Sequence, residues 1–499
     1  MIKKGKYENI LDHGYTVWLD FLLNDQQKDV IKQINDFITS PTEFAMTISG
    51  WAGTGKTTLM EIVNKRYWMS HTVHFAATTH KAAGVLKEKV GKKVFTVNSL
   101  FGIMIETDME GETYDVSKKA RKLSDDKVKP NSIIIIDEAS MLSIQNYIDV
   151  ILKARERKCK IIFIGDSAQL SPVNEDDISI VFRNTDHRIV ELTKVMRTDD
   201  DSILNESTSV RTGDGFTYET HINEEGDGVR YISSKDTKAI LDVIDNHIEG
   251  LKDDPNYFRV LTYTNANVEK LNRMIRKKLG YDGLNPQPGE PLMAYSNWGY
   301  QGMGLSGAVY VVVNSEAYTV KSVPEMYDVI VHKEDVSRMI TYTNESRLDD
   351  YNLEIIDLEI EDSLGIPIDV PLIDVKNNSH NREIVVALAY EKVHQWNLYR
   401  EAENKNDKLT CLDKINAIDD FLFVNDNVYD KYGTLIQAKV IDYGYAHTIH
   451  KSQGSTFRHV LINDDDINRC LDKNVKKQLR YVAVTRAQKS ANIITSHVV

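Results

Sequence analysis

The chain has 499 residues, enough for about three or four domains or subdomains, and its 41% hydrophobic and 27% charged residues describe a soluble globular protein. No apolar run reaches the length of a membrane-spanning helix, and residues 1–8 lack the apolar core of a signal peptide, so a cytoplasmic protein with no membrane partner is expected, in the host cytoplasm if the source is viral. A net charge of −13 excludes a generally basic, polyanion-coating surface, although a chain that follows a nucleic-acid strand needs only a locally positive groove. Cys159, Cys411 and Cys470 are odd in number and far apart, which argues against a disulfide framework and against a Cys-type zinc site.

In chain order, residues 44–49 form a short apolar strand candidate. Gly50-Trp51-Ala52-Gly53-Thr54-Gly55-Lys56-Thr57 then completes the pattern G-x-x-x-x-G-K-[ST], and a helix follows from Thr57 and Thr58. Strand, glycine loop and helix in this order cradle a phosphate chain, because loop N–H groups converge at a positive helix end. ATP with Mg²⁺ is the expected cofactor pair. Lys56 is placed to reach the β- and γ-phosphates and Thr57 to put its hydroxyl on the metal, while Gly53 and Gly55 let the backbone approach the anion.

Residues 132–136 are a β-branched run that ends in Asp137-Glu138, as expected of a central parallel strand carrying acids to its C-terminal edge. Asp137 is read as a Mg²⁺ ligand and Glu138 as the base that orients and deprotonates the attacking water. Residues 160–170 repeat the grammar and deliver Gln169, read as a sensor of the γ-phosphate. Arg197 after the strand near 189, and Arg486 near the C-terminus, are candidates to stabilise charge on the transferring phosphoryl group; a surface ion pair is the alternative for each.

Taken together, the motifs Leu23-Asn24-Asp25-Gln26-Gln27, 50–57, Ala77-Thr78-Thr79-His80-Lys81-Ala82-Ala83, Asp137-Glu138, 165–169, Arg197, His450-Lys451-Ser452-Gln453-Gly454 and Val484-Thr485-Arg486 occur in an order that resembles superfamily 1B DNA helicases of the Dda- and RecD-like branch. The likeness covers roughly two thirds of the chain. It implies an α/β fold of two RecA-like P-loop core domains, parallel sheets flanked by helices, with a small hairpin insertion in the first and a β-rich, SH3-like barrel insertion in the second. It also implies that Gln27 reads the adenine edge, and that Gly50, Thr54, Thr58, Gln453 and Gly454 belong with the nucleotide site. Strand contacts fall to Thr79, His80, Asn98 and Ser99 on the first core and to Thr264, Asn265, Thr448 and His450 on the second. Asn98 stands where relatives carry His. For each of these polar residues the alternative is a helix cap or a turn.

The expected domains are an N-terminal extension at 1–23, a first core at 24–192, a second core split into 193–291 and 438–499, and the insertion at 292–437. Within the first core, residues 103–130 break the α/β rhythm. The resemblance implies that they form a duplex-splitting pin, with Phe101, Met104 or Met109 to stack on a base pair; the alternative is an acidic surface hairpin. In the insertion, apolar runs such as 309–313, 327–331 and 384–388 suggest short strands, followed by added helices about 390–421. The resulting expectation is an ATP-dependent DNA helicase, 5′ to 3′ by the resemblance, acting as a monomer on single-stranded DNA and junctions, with possible replication or recombination partners; the compact layout leans toward a phage. A P-loop nucleotide kinase and a non-unwinding translocase are the alternatives.

Overall fold

A computed structural model describes residues 7–11, 15–19, 23–67, 69–103, 126–172, 175, 178–195, 201–213, 215–252, 254–281, 283, 285–300, 309–332, 340–341, 351–362 and 365–498. Uninterrupted β-branched runs suit strands covered on both faces. Ile133–Asp137, a run of this kind, is an inner strand of one six-stranded all-parallel sheet in the order Val94–Thr96, Val73–Ala77, Ile133–Asp137, Lys160–Gly165, Ala45–Gly50 and Arg188–Leu192. Alternation sends Ile133, Ile135, Ile48 and Ile162 into one core under the helices Asp25–Thr39 and Lys56–Tyr67. Ile134, Ile136, Ile161 and Phe163 pack on the opposite face with Leu100 and Val150. Ala77 lies opposite Asp137 and Gly50 opposite Leu192, so the loops that follow these strands share one sheet edge.

The second sheet takes strands from both sides of the insertion. Ala446–Thr448, Phe258–Thr262, Phe457–Asn463, Ala487–Thr495 and Gly228–Ser233 are parallel neighbours, and His221–Ile222 closes one edge antiparallel. The insertion leaves and returns through adjacent strands, Pro291–Ala294 and Ile441–Tyr443, which pair with each other. Its main sheet runs Ile340–Thr341, Met326–Val331, Tyr351–Glu361, Ala317–Ser322, Pro291–Ala294, Ile441–Tyr443, with Pro367–Leu372 added on Tyr351–Glu361. Among the described residues this sheet follows an open path, and no pair closes it into the small barrel expected.

One sequence expectation fails in the insertion. Residues 384–388 are helical, not a strand, and belong to Ser379–Glu401, which pairs with the helix Lys405–Phe421. Asn378 caps the first turn by accepting from the N–H groups of His380 and Asn381, while Ile384, Val385 and Leu388 pack on the sheet residues Val329 and Leu353. A short apolar run fits either period, and here the cap and the length of the packed face favour the helix. Among the described residues no helix is long and apolar enough to cross a membrane. The three cysteines are buried free thiols.

Candidate nucleotide and strand site

The phosphate loop is built from the conformational needs of its residues. Gly53 and Gly55 hold φ of 79° and 85°, which L side chains rarely adopt. A Cβ on Gly55 would also lie 2.5 Å from Gln27 Nε2, so glycine is required there on two counts. Thr54 is fully buried and pins the loop through its hydroxyl, which donates to Trp51 O at 2.9 Å. Lys56 opens the following helix, its ammonium donating to the carbonyls of Gly50 at 2.7 Å and Trp51 at 3.0 Å.

Gln27 is only 4% exposed. Its Oε1 accepts the Asn24 N–H in a reciprocal capping box, and its Nε2 donates to Thr54 O at 3.2 Å. As placed, its amide is engaged by Asn24 and the phosphate loop, and Gln27 does not line the cleft.

Asp137 ends its strand, and Glu138 follows with φ 52° and ψ 39°, a left-handed conformation that is costly for a residue with a side chain and is characteristic of functional turns. Asp137 Oδ1 accepts the Glu138 N–H at 2.9 Å, and Thr78 Oγ1 donates to Glu138 O at 3.2 Å. Burial first, and the Glu138 carboxylate second, push the Asp137 carboxyl upward. Such a site gains from a cation. The residues fit Mg²⁺, because the Thr57 hydroxyl and the Asp137 carboxylate are hard oxygen donors on one cleft. Among the described residues no group of three or more acidic, His or Cys side chains could hold a metal by itself; Mg²⁺ in phosphoryl-transfer sites ordinarily has one or two protein oxygens, with phosphate and water completing the shell.

The cleft, about 660 Å³, is lined from the first sheet by residues 52–58, Asp137, Glu138 and Gln169. From the second come Gly454, Ser455, Thr456, Thr485 and Arg486. Gln169 is 5% exposed, and its Oε1 has no hydrogen-bond partner among the described residues. Arg486 is held in place by three donated bonds, to Val482 O, Ser455 O and Thr485 Oγ1 at 3.0, 3.0 and 3.1 Å. Gln453 lies beside Gly454 with Nε2 buried and unpartnered among the described residues. Arg197, Met104 and Met109 fall outside the described residues.

The expected strand contacts divide into caps and open side chains. Thr79 caps the helix His80–Val90 by accepting from Ala82 N–H, and burial lowers the His80 imidazole from its usual value. Asn98 and Ser99 lie on the short helix Val97–Phe101, where Ser99 Oγ accepts from Lys127 Nζ at 2.8 Å. Thr264 caps Asn265–Lys278 and donates to Asp466, whose carboxyl is held below its usual range by bonds from Thr262 and from the Thr264 and Tyr263 N–H groups, against the opposing effect of burial. Thr448 is buried and accepts the Lys451 N–H at 3.4 Å. Asn265 and His450 are exposed, with His450 beside the Tyr263 ring at 6.1 Å. Thr79, Thr264 and Thr448 thus spend their hydroxyls within the fold.

Phe101 corrects the pin expectation. It is wholly buried in the first core with Val97 and Leu100, so it has no face to offer a base pair. Sequence reading also passed over groups that join the two sheets. Lys81, buried and pushed down to about 8 by that burial, donates to Ser455 Oγ at 2.5 Å. Tyr481 and Arg211 reach Asp166 across the same boundary.

Residues 22–231 match the family of the AAA domain, and residues 443–494 match the UvrD-like helicase C-terminal domain. The chain is 33% identical over 242 residues to the ATP-dependent DNA helicase dda of Enterobacteria phage T4, a match that covers 47% of this chain and 52% of that protein. Over 149 residues it is 35% identical to the RecBCD enzyme subunit RecD of Buchnera aphidicola subsp. Schizaphis graminum, covering 26% of this chain and 23% of RecD. The chain therefore spans about half the length of the first relative and less than a quarter of the second. Among solved structures, the Pif1 helicase from Candida albicans is similar at a TM-score of 0.45 and 16% identity, covering 95% of each chain.

Proposed function

We propose that the chain is a helicase of the superfamily 1B Dda- and RecD-like group, and that it hydrolyses ATP to drive itself along single-stranded DNA and so unwinds duplex DNA. The observation that carries this reading is the composition of the cleft: phosphate loop and acids from one sheet, Arg486 from the other. A nucleotide bound there touches both halves, so its hydrolysis changes how they fit together.

In this reading Lys56 and the loop N–H groups hold the β- and γ-phosphates, and Thr57 and Asp137 hold Mg²⁺. The metal supplies charge neutralisation to the γ-phosphoryl group. Glu138, aimed by its left-handed backbone, orients and deprotonates the attacking water. Arg486, with Arg197 as its expected companion, stabilises charge on the transferring group, and Gln169 registers the γ-phosphate. Gly50, Gly53, Thr54, Gly55 and Thr58 shape the loop, with Gln27 supporting it and Gln453 and Gly454 joining the cleft to the strand side. His80, Asn98, Ser99, Asn265 and His450 are the side chains best placed to meet a strand, 5′ to 3′ being the expected direction. Thr79, Thr264 and Thr448 contribute to that track by shaping its backbone.

The experiment is a steady-state ATPase assay with and without single-stranded DNA. Turnover is expected to rise severalfold or more with the strand and to vanish in Lys56→Ala. ATP turnover indifferent to DNA would favour a metabolic P-loop enzyme and contradict the reading.

A further inference from the structure

The turn after the strand Lys160–Gly165 touches both halves of the cleft. Gln169 faces the nucleotide side, while the next residue, Leu170, is 3% exposed in the hydrophobic cluster of the second sheet. There it joins Ile203 and Val210 of the helix Asp201–Thr212 and Leu479 and Val482 of the helix Lys473–Val484. Ser171 continues the attachment through a bond from Gln478 Nε2 at 3.0 Å.

Asp166, in the same turn, is wholly buried. Its Oδ1 accepts the Ala168 N–H at 3.1 Å and the Arg211 Nη1, and its Oδ2 accepts the Tyr481 hydroxyl at 2.8 Å. The Tyr481 oxygen in turn accepts the Ala52 N–H of the phosphate loop at 3.2 Å, and the Arg211 guanidinium lies over the Trp51 ring, 4.9 Å from its centroid. Two side chains carried by helices of the second core therefore grip the phosphate loop and the turn of Gln169 together. The Gln169 N–H donates to Asp166 O at 3.1 Å, so the two residues move as one short turn.

We propose that Asp166, Arg211 and Tyr481 are the positioning residues that transmit the state of the γ-phosphate from Gln169 to the second core domain, and thereby set its grip on the strand. This rests on the reading of Gln169 given above. A buried carboxylate deprived of its partners is strongly unfavourable, so Asp166 carries Arg211 and Tyr481 with it when the turn shifts. Leu170, packed among the same helices, gives the turn a second attachment that a displaced Gln169 pulls on.

The test compares the affinity for a single-stranded oligonucleotide in the presence of ADP–aluminium fluoride and of ADP, for the wild-type chain, Tyr481→Phe and Arg211→Lys. Tyr481→Phe removes one oxygen and keeps the ring, and Arg211→Lys keeps the charge but loses the fork. The wild-type chain is expected to bind the strand differently in the two nucleotide states, and each variant to bring that ratio about tenfold closer to one, within the ordinary range of coupling between sites. Each nucleotide is supplied at a concentration that saturates each variant, so a change in nucleotide affinity does not enter the ratio. A merely structural role would lower the melting temperature and both strand affinities together and leave the ratio intact. A wild-type ratio in Tyr481→Phe, or in Arg211→Lys should Tyr481→Phe not fold, overturns the inference while strand-stimulated turnover of the wild-type chain still stands. Absence of that turnover overturns the functional reading and this inference with it.

Discussion

At the scale of single residues, the backbone of Glu138 is the most informative observation. Left-handed φ and ψ at a carboxylate cost on the order of 1–2 kcal/mol and persist only where surrounding contacts hold them, here Thr78 on its carbonyl and Asp137 on its N–H. Glu138→Gln keeps the shape and removes the base, so we expect ATP affinity to hold while turnover falls roughly 10²–10⁴-fold, the usual contribution of a positioned base. Rapid-quench measurement of the hydrolysis step checks this, and near-normal turnover would remove Glu138 from its role.

Two buried histidines give the stability a pH dependence. His187, between Thr47 and the Tyr147 hydroxyl, and His459, bonded to Ser490, are both pushed down to about 4 by burial. The unfolded chain takes up protons near the ordinary value of about 6.5, before the folded one can. The stability contributed by keeping them neutral is therefore present above about 6.5 and is lost as pH falls toward 4. The melting temperature should drop between pH 7 and pH 5, and less so in His187→Gln; an equal drop in that variant would rule His187 out as a source.

At the scale of elements, the phosphate loop and the acidic strand were legible because their residue types state backbone needs directly. Glycine at positive φ and an unbroken β-branched run leave few alternatives. Residues 384–388 misled because a five-residue apolar run does not reveal its period, and the deciding cap at Asn378 lies outside the run. Phe101 misled through its neighbourhood to an irregular segment, although Val97, Leu100 and Phe101 already have the spacing of a buried helical face. Phe101→Ala is accordingly expected to cost about 3–5 kcal/mol of stability, read by denaturant unfolding. A stable variant with a specific unwinding defect would restore Phe101 as a pin residue.

At the scale of the whole molecule, contacts that join the two sheets were the least legible. Asp166 and Tyr481 are separated by 315 residues and Ala52 and Tyr481 by 429, and no local pattern marks either pair. The helical hairpin of Ser379–Glu401 and Lys405–Phe421 has no counterpart in the motifs, and its packing on the insertion sheet explains its stability without giving it a role. What the sequence does carry at this scale is the order of its motifs, which the two sheets draw to one cleft from residues as distant as 52 and 486. Because the chain is strongly acidic, strand binding should rest on few phosphate contacts, and the slope of log affinity against log salt should be shallow, about −0.7 per contact on a single strand.

As proposed above, nucleotide turnover in this shared cleft moves the chain along a strand in one direction. Its most direct test is ATP-driven unwinding of two duplexes identical except for a 5′ or a 3′ single-stranded tail. Unwinding of the 5′-tailed duplex alone is expected, and its loss in Lys56→Ala and in Glu138→Gln. Unwinding of the 3′-tailed duplex alone would contradict the direction, and unwinding of neither, with strand-stimulated ATP turnover intact, would contradict the claim that this motor separates strands.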